Sequence, residues 1–221
     1  MLDRIIFIAY SLIFFLVPLF WSSKNSELFE YNKMMLTYGL TIVIVGAWLL
    51  KSIINNRLTI NRTPLDIPLI LFLSANILST IFSIDSHTSI WGYYSRSNGG
   101  LLSLISYLLL YWAFVSNIQK TQVFRLLKIG LLSGFIISLW GILEHFGVSP
   151  SCVILRGELS AGCWVQDVQA RVFATLGQPN WMAAYLGMLI FPTIYFLVTS
   201  TVKATSDKKN FNLLLPYLLL V

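Results

Sequence analysis

Six long apolar runs constrain this chain more than any other feature. They extend approximately over residues 5–21, 34–54, 65–82, 99–116, 126–146 and 179–202. A hydrocarbon core of about 30 Å takes roughly 20 apolar residues wound as a helix, and each run is close to that length. The runs are continuously apolar rather than alternating, so each reads as a helix that satisfies its own backbone in lipid, not as a barrel strand. With 57% hydrophobic and 11% charged residues among 221, the composition excludes an ordinary soluble domain. The expected fold class is all-α, a polytopic bundle of transmembrane helices.

A seventh run begins near Phe211 and reaches only Val221, about half of a spanning length. Residues 1–221 therefore read as the N-terminal part of a longer transmembrane domain. No small-residue cleavage site follows the first run, which reads as a retained helix rather than a signal peptide.

Assigning alternate loops to alternate sides tests the arrangement, because Lys and Arg concentrate in cytoplasmic loops. One side collects Arg4, Lys51, Arg57, Arg62, Lys120, Arg125, Lys128, Lys203, Lys208 and Lys209. The other holds Lys24, Lys33, Arg96, Arg156 and Arg171, a split of 10 to 5. The N-terminus is expected in the cytoplasm. The net charge of +6 is then topology, and no basic, aromatic-lined soluble module suggests nucleic acid. Trp21, Trp91, Tyr93, Tyr94, Trp112 and Trp181 lie near run ends, where an interfacial belt is the ordinary reading.

Two loops are longer than connectors, 83–98 and 147–178, and both fall on the outer side. Longer loops on a rigid bundle are where chemistry is more often placed. In the first, Arg96 either snorkels to headgroups beside its anchoring aromatics or faces the bundle and meets an anionic substrate group. The second carries Cys152 and Cys163, the two cysteines of the chain. A disulfide between them suits an oxidising compartment, while a metal site is disfavoured by two thiols at this spacing with no adjacent His. Glu144 and His145 are neighbours on a helix and so point in different directions. One of them either faces a polar cavity or reaches water at the boundary. Asn61, Arg62 and Thr63 form a glycosylation pattern, but on the cytoplasmic side.

The segment "RVFATLGQPNWMAAYL", from Arg171 onward, sits at the mouth of the sixth run. Gly177 breaks the chain, Gln178 falls at a cap and Pro179 suits a first helical position. The N-terminal backbone N–H groups and positive dipole end would then face the outer surface, with Arg171 upstream and the Gln178 and Asn180 amides alongside. Such an end suits a phosphate or pyrophosphate headgroup, and equally an ordinary cap with a snorkelling Arg.

This segment resembles a recurring stretch of the O-antigen ligase and O-antigen polymerase superfamily, which includes bacterial protein O-oligosaccharyltransferases. In that stretch an Arg, a Gly and an "NPN" or "QPN" tripeptide precede a helix rich in small residues and Leu. "SIWGYYSRSNGGLLSLISYLLLYWAF" looks like the family's outer loop and the span after it. The resemblance implies transfer of a glycan from undecaprenyl pyrophosphate to a lipid, polysaccharide or protein acceptor, at the outer face of a bacterial cytoplasmic membrane. It implies an inverting displacement at the anomeric carbon, needing neither metal nor other cofactor. Arg171 matches the motif and Arg96 lies in the other similar stretch, so both are implied pyrophosphate contacts. Gln178 and Asn180 match the tripeptide and are expected to shape the site. The family's base, a His in a large outer loop, is expected beyond Val221, and neither His87 nor His145 matches it. A multi-spanning transporter or lipid-linked oligosaccharide flippase is the alternative, although these runs keep their charges at the ends, and transporters tend to place ionisable groups near midplane.

Overall fold

The computed structural model describes residues 1–206, with side chains to residue 201. Among the described residues eight α-helices follow one another: α1 (Leu2–Leu19), α2 (Glu30–Ile54), α3 (Asp66–Ile81), α4 (Ser86–Trp91), α5 (Leu101–Asn117), α6 (Lys120–His145), α7 (Pro150–Arg156) and α8 (Pro179–Ser206). Short 3-10 turns occupy Ala161–Cys163 and Ala174–Leu176. Among the described residues there is no strand, only an isolated bridge between Val148 and Ser160. The fold is all-helical, and its apolar helices belong in a lipid bilayer.

Among the described residues four helices are long and apolar enough to cross a membrane: α1, α2, α6 and α8. The expectation of six is not met on length, and the reason lies in the caps. The run 65–82 loses Leu65 and Phe82 to the ends of α3, and the run 99–116 loses Gly99 and Gly100, so α5 starts at Leu101. At 16 and 17 residues and 1.5 Å each, these helices span only about 24 and 26 Å. The expected start of a seventh span lies outside the described residues.

The chain divides into two compact units, one of Met1–Ile13 with Lys24–Phe124, the other of Phe14–Ser23 with the residues from Arg125 onward. In the first unit, α2 buries Met34, Thr37, Thr41, Ile44 and Trp48, a three-and-four spacing that aligns one face of a helix. This face meets α5, where the Thr41 hydroxyl lies 2.8 Å from that of Ser106. Small hydroxyl residues at a helix interface let backbones approach and bond across it where lipid offers no water. The start of α1 joins through Tyr10, whose hydroxyl donates to the Leu110 carbonyl at 2.6 Å and whose ring meets Phe114 edge-on. α3 starts at a half capping box, in which the Asp66 carboxylate reaches back to the Thr63 N–H at 2.8 Å.

In the second unit the end of α1, most of α6 and the start of α8 enclose Ile137, Ala174, Leu176 and Met182, with Leu19, Trp140, Val172 and Trp181 around them. Glycines on α6 make the contact close. A Cβ at Gly141 would lie 2.5 Å from the Met182 methyl, and one at Gly130 would lie 3.2 Å from the Phe14 ring. The Ser133 hydroxyl donates to the Phe15 carbonyl at 3.0 Å and adds a polar tie between α6 and α1.

Candidate functional site

The segment from Arg171 to Asn180 belongs to the second unit, and its geometry is set by the end of α6. Gly147, at φ +84°, lets the chain turn back on the helix: Val148 N–H bonds the Leu143 carbonyl and Gly147 N–H that of Glu144. This is a Schellman stop, which a left-handed glycine permits at no steric cost. The chain then pairs with itself, Ser149 N–H to the Leu159 carbonyl and Ala161 N–H to that of Gly147. Pro150 opens α7, and a left-handed Gly157 closes it. A disulfide joins Cys152 to Cys163 across this loop. The stretch expected to be loop thus contains a helix, two 3-10 turns and a covalent staple.

Inside that arch Glu144 is fully buried. Of the pair for which the sequence offers a polar cavity or water, His145 is exposed and Glu144 is enclosed by polar groups of the chain itself. Its carboxylate accepts the backbone N–H groups of Ala174 at 2.8 Å and Phe173 at 3.3 Å, and hydroxyl bonds from Ser149 at 3.3 Å and Ser151 at 3.5 Å. Trp164 donates its indole N–H to the same two hydroxyls and packs edge-on against Phe173. The first N–H groups of a helical turn have no partner within it, and here Glu144 supplies one for the turn Ala174–Leu176. Ala174, a non-glycine residue at φ +49°, is held in a conformation that L-residues seldom adopt. Next to it, the Thr175 hydroxyl donates to the carbonyl of Pro18 at 2.9 Å.

These bonds fix the approach to α8. Gly177 turns at φ +81°, the Gln178 carbonyl accepts the N–H groups of Trp181 and Met182 at 3.1 Å, and the helix begins at Pro179. Arg171 and Asn180 are exposed, while Gln178 is half-buried. Beside this segment lies an open groove of about 410 Å³. Gly141, Ile142, Val172, Met182 and Leu186 line it, together with the polar His145 and Gln169. His145 Nδ1 is 2.9 Å from the Gln169 carbonyl oxygen. Ala170 and Val172, the neighbours of Arg171, both line the groove.

Arg96 belongs to the first unit, in a loop that is also more ordered than its sequence suggests. Asp85 caps α4 by accepting from the Thr88 N–H at 3.1 Å and from the Thr88 hydroxyl. That hydroxyl, and the N–H beside it, hold the Asp85 carboxyl below the usual aspartate range. Gly92 and Gly100 then let two backbone strands touch, for a Cβ on Gly92 would collide with Asn98 and one on Gly100 with Gly92. Across this turn the Arg96 guanidinium lies over the Tyr93 ring, 5.7 Å from its centroid. Arg96 Nε is 3.3 Å from Glu30 Oε2, an ion pair without an aligned hydrogen bond. Asn98 donates to the other Glu30 oxygen at 2.9 Å.

Sequence reasoning missed two residues that organise these segments, Glu144 as a clamp and Glu30 as the partner of Arg96. For Glu144 the usable signal was a carboxylate on an otherwise apolar helix; for Glu30, residues 30 and 96 share no local pattern. Gln178 and Asn180 flank the first residue of α8, as the tripeptide spacing requires. The chain matches no protein-family model, and no curated protein or solved structure matches it.

Proposed function

We propose that this chain is part of a membrane glycosyltransferase of the O-antigen ligase or polymerase type. In this reading it lies in a bacterial cytoplasmic membrane with its N-terminus inside. Six spans and the start of a seventh are proposed, α3 and α5 crossing as short helices. The donor is a glycan on undecaprenyl pyrophosphate. The acceptor is a hydroxyl of a lipid, a polysaccharide or a protein.

One observation carries the reading: an exposed Arg171 stands between two residues that line an apolar groove, at the start of a spanning helix. A lipid pyrophosphate needs both parts, an apolar channel for its chain and a cation where the chain ends. In the reaction the acceptor hydroxyl oxygen attacks the anomeric carbon and gives up its proton to a general base. The bond from that carbon to the pyrophosphate oxygen breaks, and the lipid pyrophosphate leaves with the electron pair. Arg171 stabilises the charge that develops on it, most effectively where water is partly excluded. The positive end of α8 acts in the same direction, and Gln178 and Asn180 shape its mouth. Arg96, oriented by Glu30 and Tyr93, is proposed as a second contact to the pyrophosphate.

The test is glycan transfer in cells that express the whole protein. Arg171→Ala is expected to insert normally and to lose transfer, whereas Arg171→Lys retains part of it, because a point charge replaces the bidentate fork. Normal transfer by Arg171→Ala would overturn the assignment.

A further inference from the structure

A large concavity of the first unit serves no purpose in the proposed transfer reaction. It is a groove of about 780 Å³ between the last turns of α2, the start of α3 and α5, within the range of sites that hold a small organic ligand. Leu49, Ile67 and Ile70 line it and are 49 to 73% exposed, so its walls open sideways, where the surrounding helices meet hydrocarbon. Its polar end carries one cation and one anion, Arg62 and Asp66. The described ion pairs are Lys51 with Asp3 and Arg96 with Glu30. Arg62 and Asp66 therefore share the groove without neutralising each other by contact.

The Asp66 carboxylate has capacity left. It accepts from the Thr63 N–H and hydroxyl and from the Trp112 indole N–H, three of the roughly four positions that a carboxylate offers. Trp48, on the same lining, buries an indole N–H that has no acceptor among the described residues.

We propose that this groove is a binding site for one phosphatidylethanolamine molecule. An acyl chain lies along Leu49, Ile67 and Ile70, the phosphate meets Arg62, and the primary ammonium donates to Asp66. Charge complementarity chooses this occupant. A phosphatidylcholine headgroup carries a cation with no N–H to donate, and so cannot form the charge-assisted bond to Asp66. Phosphatidylglycerol places a net negative headgroup beside a carboxylate. Arg62 serves all three phosphates alike, so Asp66 decides the preference. The inference is independent of the transfer reaction, since it uses other residues in the other unit.

The whole protein is reconstituted in vesicles of equal parts phosphatidylethanolamine, phosphatidylglycerol and phosphatidylcholine. It is then extracted in mild detergent, and retained lipid is read by native mass spectrometry. One phosphatidylethanolamine is expected on the wild type, enriched about tenfold over each of the others, the effect of a single charge-assisted bond. Asp66→Asn is expected to erase the preference, and Arg62→Gln to lower retention of all three. Ile67→Trp fills the groove from an exposed position without touching the cap of α3, and should displace the lipid altogether. Equal retention of the three lipids by the wild type, or an unchanged preference in Asp66→Asn, would overturn the proposal.

Discussion

The carboxylate of Glu144, at the end of one membrane helix, accepts the backbone N–H of Ala174 at 2.8 Å, and so sets the turn from which the next membrane helix starts. Removing it leaves two buried N–H groups and two serine hydroxyls without their acceptor. Glu144→Ala is expected to cost on the order of 3 kcal/mol, since each orphaned buried donor costs its own desolvation. The protein should melt earlier in detergent, and a protease should cut first between Trp164 and Gly177. Glu144→Gln keeps one carbonyl acceptor and should fall between. An unchanged melting curve for Glu144→Ala would show that the carboxylate holds nothing.

Asp85 gives the loop of residues 83–98 a pH dependence with a definite sign. Its bonds to Thr88 depress the folded carboxyl pKa. Its contribution is therefore complete above the unfolded aspartate value near 3.9, and is lost as pH falls through the lower folded value. Protection of the Thr88 and Ser89 amides, taken relative to intrinsic exchange, should be constant from neutral pH to about 4 and fall only in stronger acid. Asp85→Asn retains a capping oxygen and should abolish that acid limb.

How much of this was legible in the sequence depends on how far apart the interacting residues lie. The helices follow apolar runs, which report burial or lipid contact locally, and Gly177, Gln178 and Pro179 carry their turn and cap in three consecutive letters. The helices α4 and α7 were hidden because 6 and 7 residues are too few for a period to emerge. Which of Glu144 and His145 turns inward is not legible locally, because the donors to Glu144, Phe173 and Ala174, lie 29 and 30 positions along the chain. A carboxylate in an apolar helix is costly unless bonded, so its burial was foreseeable in kind, while its partners were not. Six apolar runs give four helices of spanning length for a different reason: hydropathy reads the apolar run, whereas the caps decide how much of it is helix.

The disulfide between Cys152 and Cys163 closes a loop that carries the other side of the Glu144 cage, because Ser151 precedes one cysteine and Trp164 follows the other. Reduction should loosen that side first. In membranes from intact cells, a maleimide reagent is expected to label neither cysteine until a reductant is added. The double substitution of both cysteines by serine should destabilise the loop by on the order of 3 kcal/mol, as for other closures of this length. Labelling of either cysteine without reductant would mean that the bridge is not formed in the cell.

Arg96 and Glu30 form a pair whose meaning a double-mutant cycle can separate. The Arg96 side chain is 44% exposed and that of Glu30 19%, so solvent screens the attraction, and a coupling energy of about 1 kcal/mol or less is expected for stability. Under the proposed function, a pair that is only structural would leave Arg96→Ala, Glu30→Gln and the double variant transferring glycan at nearly wild-type rates once folded. If Glu30 orients Arg96 for an anion, Arg96→Ala loses transfer outright. Glu30→Gln keeps the hydrogen bond from Asn98 to Oε1 but removes the charge opposite the guanidinium. It should then raise the apparent KM for the lipid-linked donor more than it lowers kcat, because the cation remains and only its placement is lost. The double variant should be no worse than Arg96→Ala alone, since a positioning residue has no effect once the residue it positions is gone. Losses that multiply in the double variant would assign the two residues separate roles.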